Sequence, residues 1–449
     1  MLTDEVGLEV TTDSPAAVDL FNKAMQSART WRMDAGEHMK AALAADPDFA
    51  HAQTVMGLMM LGLRKPEVYP MVRQLLAAAK RREADLTERE RLYIRALELA
   101  LDGQSTGAIS TLETVTVGHP TDLFALRTAQ MDMFWLGESD WMRAITERAA
   151  PAWSKDVPGY GPFLSIRAFG LEEAGDLKAA ERYGLEALEV NPSDCWGAHA
   201  VAHVLEMQAR HGEGISLLDG LKDNWAGANH IIHHLWWHHC LFQVENGDYD
   251  GALAVYDDYV RNPDSPLVKA IPDMYFDIQN GASLLLRLEL RGVGVGTRWE
   301  DIADISEGRL DNRSNVFTCA HCAIALARSG RYDKAETLLG NVRTFAAAGE
   351  GTFAPIYKSV AAPVIEAVIA HSKGENQKVV DLLMPVRRGF RQMGGSHAQR
   401  DIFYQVLADA AAKLGRKDIL TILIGEVRGL GFQHIEDRSS YAGAVETVQ

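Results

Sequence analysis

The sequence predicts an all-α fold, a right-handed superhelical solenoid of helical hairpins, and three observations carry that reading. First, a glycine followed five residues later by an alanine recurs as Gly103/Ala108, Gly175/Ala180, Gly247/Ala252 and Gly330/Ala335. Second, Gly103, Gly137, Gly175, Gly212 and Gly247 are separated by 34, 38, 37 and 35 residues, the period of a helix–turn–helix repeat. Third, Pro120, Pro192 and Pro263 follow Gly103, Gly175 and Gly247 by 17, 17 and 16 residues.

Each element of the repeat has a physical reason. Glycine ends the first helix because the left-handed terminal conformation costs it little. Alanine lets the second helix close tightly against the first. Proline ends the unit because it cannot continue a helix. A hairpin of this kind is apolar on both sides and must stack on neighbours to bury them. After Gly247 the steps lengthen to 45, 38, 44 and 41 residues, through Gly292, Gly330, Gly374 and Gly415, so longer and less regular repeats are expected, particularly over residues 264–330. Alternating apolar runs are absent and no strand is expected. Residues 1–15 are expected to be poorly ordered, within one continuous helical-repeat domain spanning 1–449.

Composition sets the function classes. The chain has 449 residues, 47% hydrophobic and 24% charged, with 45 Lys and Arg against 61 Asp and Glu, a formal charge of −16. That excess opposes nucleic-acid binding and docking on anionic lipid. Four cysteines, Cys195, Cys240, Cys319 and Cys322, are too sparse for a disulfide framework and read as reduced thiols of a cytoplasmic protein. No secretory h-region and no run of eighteen apolar residues occur. The expected partner is a small molecule or peptide, with no nucleic acid and no membrane; a homodimer is compatible with the sequence.

The strongest functional signal is a grid of histidines. His199 and His203 are four residues apart, and so are His234 and His238, one repeat of 35 residues later (234 − 199 = 238 − 203 = 35). Residues four apart share a helix face. Counting nine residues back from Gly212, Gly247, Gly292 and Gly330 gives His203, His238, Ser283 and His321. Counting thirteen back gives His199, His234, Gln279 and Phe317. The corresponding earlier positions, Thr128 and Ile166, carry no imidazole. The prediction is a strip of His199, His203, His234, His238, Gln279, Ser283 and His321 along a concave groove edged by Trp196 and Trp237.

Three accounts of the grid remain open. The imidazoles could be buried groups satisfying their neighbours. They could hold a transition metal, since two i, i+4 pairs on adjacent helices can present four nitrogens to one ion; His199, His203, His234 and His238 are that ligand set. They could line a ligand pocket with acid–base chemistry, with His203, His234 and His238 catalytic and Glu206, one turn after His203, orienting an imidazole. No HExxH, Walker loop or G-x-S-x-G elbow is present. The Gly292–Gly296 run has the wrong spacing for a dinucleotide fingerprint, and Cys319-Ala320-His321-Cys322 reads as small core residues. Thr87 with Glu90 has the spacing of a capping box.

Two segments resemble a known family. His234-Leu235-Trp236-Trp237-His238, running into Glu245-Asn246-Gly247, is similar to the H-x-x-W-H segment of the tetratricopeptide-repeat protein 38 family. Gly394-Gly395-Ser396-His397-Ala398-Gln399-Arg400-Asp401 resembles that family's Gly-Gly-Ser-x-Ala-Gln-Arg-Asp segment, and Asp194-Cys195-Trp196 extends the match. The resemblance implies a tetratricopeptide-type solenoid and names no reaction. In the second segment the glycines break a helix or permit close backbone approach, Ser396 caps the next helix, and His397, Arg400 and Asp401 are candidate ligand-binding residues. The reading of function is a helical-repeat protein that binds a small molecule or peptide in a His/Trp-lined groove. The alternative is a hydrolase or lyase using those histidines, with or without a metal.

Overall fold

The computed structural model describes residues 1–448, and over them the chain is an all-α helical-repeat fold. It forms two compact units. The first comprises Met1–Phe134, Glu138–Ala200 and Asp223–Asn229; the second comprises Trp135–Gly137, Val201–Lys222 and His230–Gln449. The chain passes from one unit to the other within the helices Leu123–Leu136 and Cys195–Met207, and again after Gly137, Lys222 and Asn229.

In the first unit antiparallel pairs succeed one another: Pro15–Arg29 with Ala35–Ala45, Ala50–Leu61 with Tyr69–Lys80, Glu88–Leu101 with Ser105–Gly118, and Tyr160–Glu173 with Leu177–Val190. Thr87 and Glu90 form the expected capping box. The N-terminus differs from expectation. Leu2–Thr3 and Glu9–Val10 pair as a short antiparallel hairpin, ordered by partners that the local sequence does not reveal. Glu5 meets Arg29 at 2.6 Å, and Arg89 donates to the Glu9 carbonyl at 2.9 Å and to Asp122 at 2.8 Å. Asp4, Glu5, Val6 and Leu8 line a pocket that also touches His51, Tyr93 and Arg127.

In the second unit the pairs are Ile231–Glu245 with Tyr249–Val255, Tyr275–Leu290 with Arg298–Glu307, Val316–Arg328 with Tyr332–Ala348, Ala362–Ser372 with Asn376–Val386, and His397–Lys413 with Lys417–Gly429. First and second helices are buried unequally. Every residue from His233 to Val244 of Ile231–Glu245 is buried, whereas His211–Leu221 buries only His211, Gly214 and Leu218. A helix buried all round belongs to an inner layer. The His397–Lys413 helix closes that layer by packing back on Tyr275–Leu290, where Arg287 donates to the Ala398 carbonyl at 2.6 Å. The first helices of this unit therefore do not line an open trough. The expected groove is an interior.

The glycine register holds with one exception. Gly103, Gly137, Gly175, Gly247, Gly292, Gly330, Gly374 and Gly415 all have positive φ. Gly212 does not; the left-handed turn is made by Ala209 at φ 57°, and Gly212 lies in the following helix. The turn of that repeat thus falls three residues before its marker glycine. Three residues is close to one helical turn, so the inferred face survives the offset.

Candidate functional site

Two helices build the histidine cluster. His203 lies on Cys195–Met207; His234 and His238 lie on Ile231–Glu245. All three are buried, with exposures of 1%, 7% and 0%. The ring centroids of His203 and His238 are 4.6 Å apart, and those of His234 and His238 are 4.8 Å apart. The three side chains each offer a ring nitrogen within 4.8 Å of the others. His199 lies one turn before His203, at the first unit's end of the shared helix, buried against Trp196 and Phe169 at 4.4 and 5.3 Å. Trp196 in turn stacks on Trp31 at 4.7 Å, which makes it a packing residue.

The surroundings fix these rings. His234 Nδ1 is 2.7 Å from Asn280 Oδ1; because that oxygen only accepts, His234 carries its proton on Nδ1 and presents a lone pair at Nε2. Trp237 stacks on His234 at 5.0 Å and donates from Nε1 to Ser283 Oγ at 3.1 Å. Trp236 faces the other way, against Tyr259 at 4.3 Å. The adjacent tryptophans therefore split as their spacing demands, and Trp237 is the one on the histidine side. Gln279 donates to Thr318 Oγ1 at 2.8 Å, leaving its buried Oε1 without a partner. His321 donates to the Phe317 carbonyl at 2.8 Å, and its Nε2 is likewise buried and unpartnered.

Electrostatics keeps the imidazoles neutral. Burial pushes His234 down to about 3, against the opposing effect of its bond to Asn280. His238 is pushed well below the ordinary value by burial, then by His203, His234 and Arg287. Burial takes His321 to about 4. Neutral imidazoles suit lone-pair donation and not protonation at neutral pH, and the bonds to Asn280 and the Phe317 carbonyl set the tautomers of His234 and His321.

Several expected site residues are committed elsewhere. The Glu206 carboxylate pairs with Arg438 at 2.9 Å in a buried ion pair, so it is held by the C-terminal segment and does not orient an imidazole. Arg400 donates to the Gly395 carbonyl. Asp401 accepts from Tyr441 and from Gln405, the latter at 2.6 Å; its carboxyl is raised by burial, against the pull of Arg287. Ser396 and Gln399 form a capping box at the start of the His397–Lys413 helix, so the first turn that carries His397 is fixed by its cap. Gly394 and Gly395, both at φ 80°, permit close approach: a Cβ would lie 2.8 Å from Trp135 at the first and 2.7 Å from the Phe317 ring at the second.

One cluster was missed. Asp277 receives His230 Nδ1 at 2.9 Å and His233 Nδ1 at 3.0 Å. A signal existed: the register that aligns Gln279 with His234 aligns Asp277 with Ile232, beside His233. No helix among the described residues is long and apolar enough to cross a membrane, and all four cysteines are buried and free.

No family model matches the chain. Among solved structures, that of Naa15/Naa10 bound to HypK-THB is similar over 96% of this chain and 74% of that chain, at 13% identity and a TM-score of 0.28.

Proposed function

We propose that the protein binds a divalent transition metal ion at His203, His234 and His238, with His199 one turn away on the same helix face as His203. One observation carries this reading: three buried imidazoles from two helices bring ring nitrogens within 4.8 Å of one another. Imidazole is a preferred donor for zinc, copper, nickel and iron, and Asn280 supplies the outer hydrogen bond that fixes a ligating ring. Trp237, Gln279, Ser283 and His321 are the contacts proposed for a small molecule at the ion. Burial disfavours a peptide ligand, which needs an open trough along several repeats. It also disfavours metal-free acid–base catalysis. A general base works best near the operating pH, whereas His234 sits at about 3.

Within this proposal the H-x-x-W-H and Gly-Gly-Ser segments make the chain a relative of the tetratricopeptide-repeat protein 38 family, and the free buried cysteines agree with a cytoplasmic setting. The test is metal content of untagged protein, together with its His203→Gln and His238→Gln variants. Each variant is expected to lose one equivalent of metal while keeping its helical circular dichroism. Variants that fold and retain the full wild-type content would sink the reading.

A further inference from the structure

We propose a second metal site, made by His230, His233 and Asp277 and separate from the cluster above. His230 is the residue before the Ile231–Glu245 helix and His233 lies in its first turn; Asp277 lies in the first turn of Tyr275–Leu290. These two helices pack against each other. Exposures are 2%, 3% and 0%, and each residue offers a ligand atom within 4.8 Å of the other two.

The carboxylate sits between the rings, Oδ2 at 2.9 Å from His230 Nδ1 and Oδ1 at 3.0 Å from His233 Nδ1. These are hydrogen-bond separations, and they are also the spacing of about 3 Å that two ligands at right angles and about 2.1 Å from one ion would need. The rings are 5.2 Å apart and nearly perpendicular, at 80°, so they meet edge to face and do not stack.

Charge agrees with a cation at this position. Arg261 is 3.9 Å from Asp277 but lies 2.6 Å from Asp301, so the buried Asp277 carboxylate has no close cation of its own. Two imidazoles and one carboxylate form a donor set for a first-row divalent ion such as Fe(II), Mn(II), Co(II) or Zn(II).

Cobalt(II) tests the site on the metal-stripped full-length chain, read by equilibrium dialysis and visible absorption. Wild type is expected to take up two equivalents. A His234→Gln/His238→Gln variant should keep one, and adding Asp277→Asn or His233→Gln should weaken that remaining equivalent on the order of 100-fold. In the wild-type background, Asp277→Asn should remove one equivalent of two. The proposal is overturned if the double variant, with wild-type circular dichroism, binds no cobalt. It is equally overturned if Asp277→Asn and His233→Gln leave its uptake and spectrum unchanged. Should Asp277→Asn not fold, His230→Gln, which spares the carboxylate, decides by the same measurement. The first cluster fails separately, by a double variant that binds as many equivalents as wild type.

Discussion

Gly395 carries two constraints at once: a left-handed backbone at φ 80° and a Phe317 ring where a side chain would begin. Replacing it with alanine should cost about 2–3 kcal/mol, combining backbone strain with overpacking, and Phe317→Leu should restore part of the loss in chemical denaturation. Equal loss in the two backgrounds would mean the ring contact is irrelevant. His321 gives a pH prediction. Its folded value is about 4, below the 6.5 of a free imidazole. Above pH 6.5 both states are neutral there and stability is indifferent to pH. Between 6.5 and 4 only the unfolded chain takes the proton, so stability falls as pH falls, by up to about 1.4 kcal/mol per pH unit. His321→Gln should flatten the stability–pH curve in that window; an unchanged slope refutes the assignment. His321 was visible in the sequence because it sat nine residues before a marker glycine. Its orphaned Nε2 was not, since that depends on which groups pack against it.

At the level of helices, spacing revealed most of what burial later organised. Gly-x4-Ala pairs located hairpins because their geometry is local: one positive φ and one small residue at a close contact. The Ala209 turn was invisible because alanine rarely adopts φ 57° without tertiary support. The fate of Glu206 was invisible for a different reason. Its partner Arg438 is 232 residues away, and no periodicity links them. That pair ties the C-terminal segment to the Cys195–Met207 helix, reinforced by the Gln433 amide on the Met207 carbonyl at 2.8 Å. Removing one side of a buried ion pair strands the other, at about 3–5 kcal/mol. Arg438→Met is therefore expected to destabilise by that amount and to release residues 431–441, seen as faster amide exchange there. Glu206→Gln/Arg438→Met together should lose less than the sum of the singles. Additive losses would mean the two groups are not coupled.

At the scale of the whole molecule, the first unit keeps its pocket at the N-terminal hairpin, while the second turns its first helices into an interior lined with imidazoles. Spacing placed His203, His234 and His238 on facing helices and left open whether they are buried, which they are. Enclosure comes from the return of the His397–Lys413 helix onto Tyr275–Leu290, a contact between segments more than a hundred residues apart. Enclosure also decides what metal binding should do to stability. An ion held only by the native second unit stabilises it by mass action, about 2.7 kcal/mol at a hundredfold excess over the dissociation constant. That corresponds to roughly 100-fold slower exchange for amides that open only when the unit unfolds. Adding zinc to the stripped protein should slow exchange in Ile231–Glu245 and Tyr275–Leu290 to that extent. Helices of the first unit, such as Pro15–Arg29, should keep their rates. In His203→Gln/His238→Gln/Asp277→Asn protein the effect should vanish. If zinc protects both units equally, or protects the triple variant as well as wild type, it is acting at the surface and the buried histidines are not its ligands.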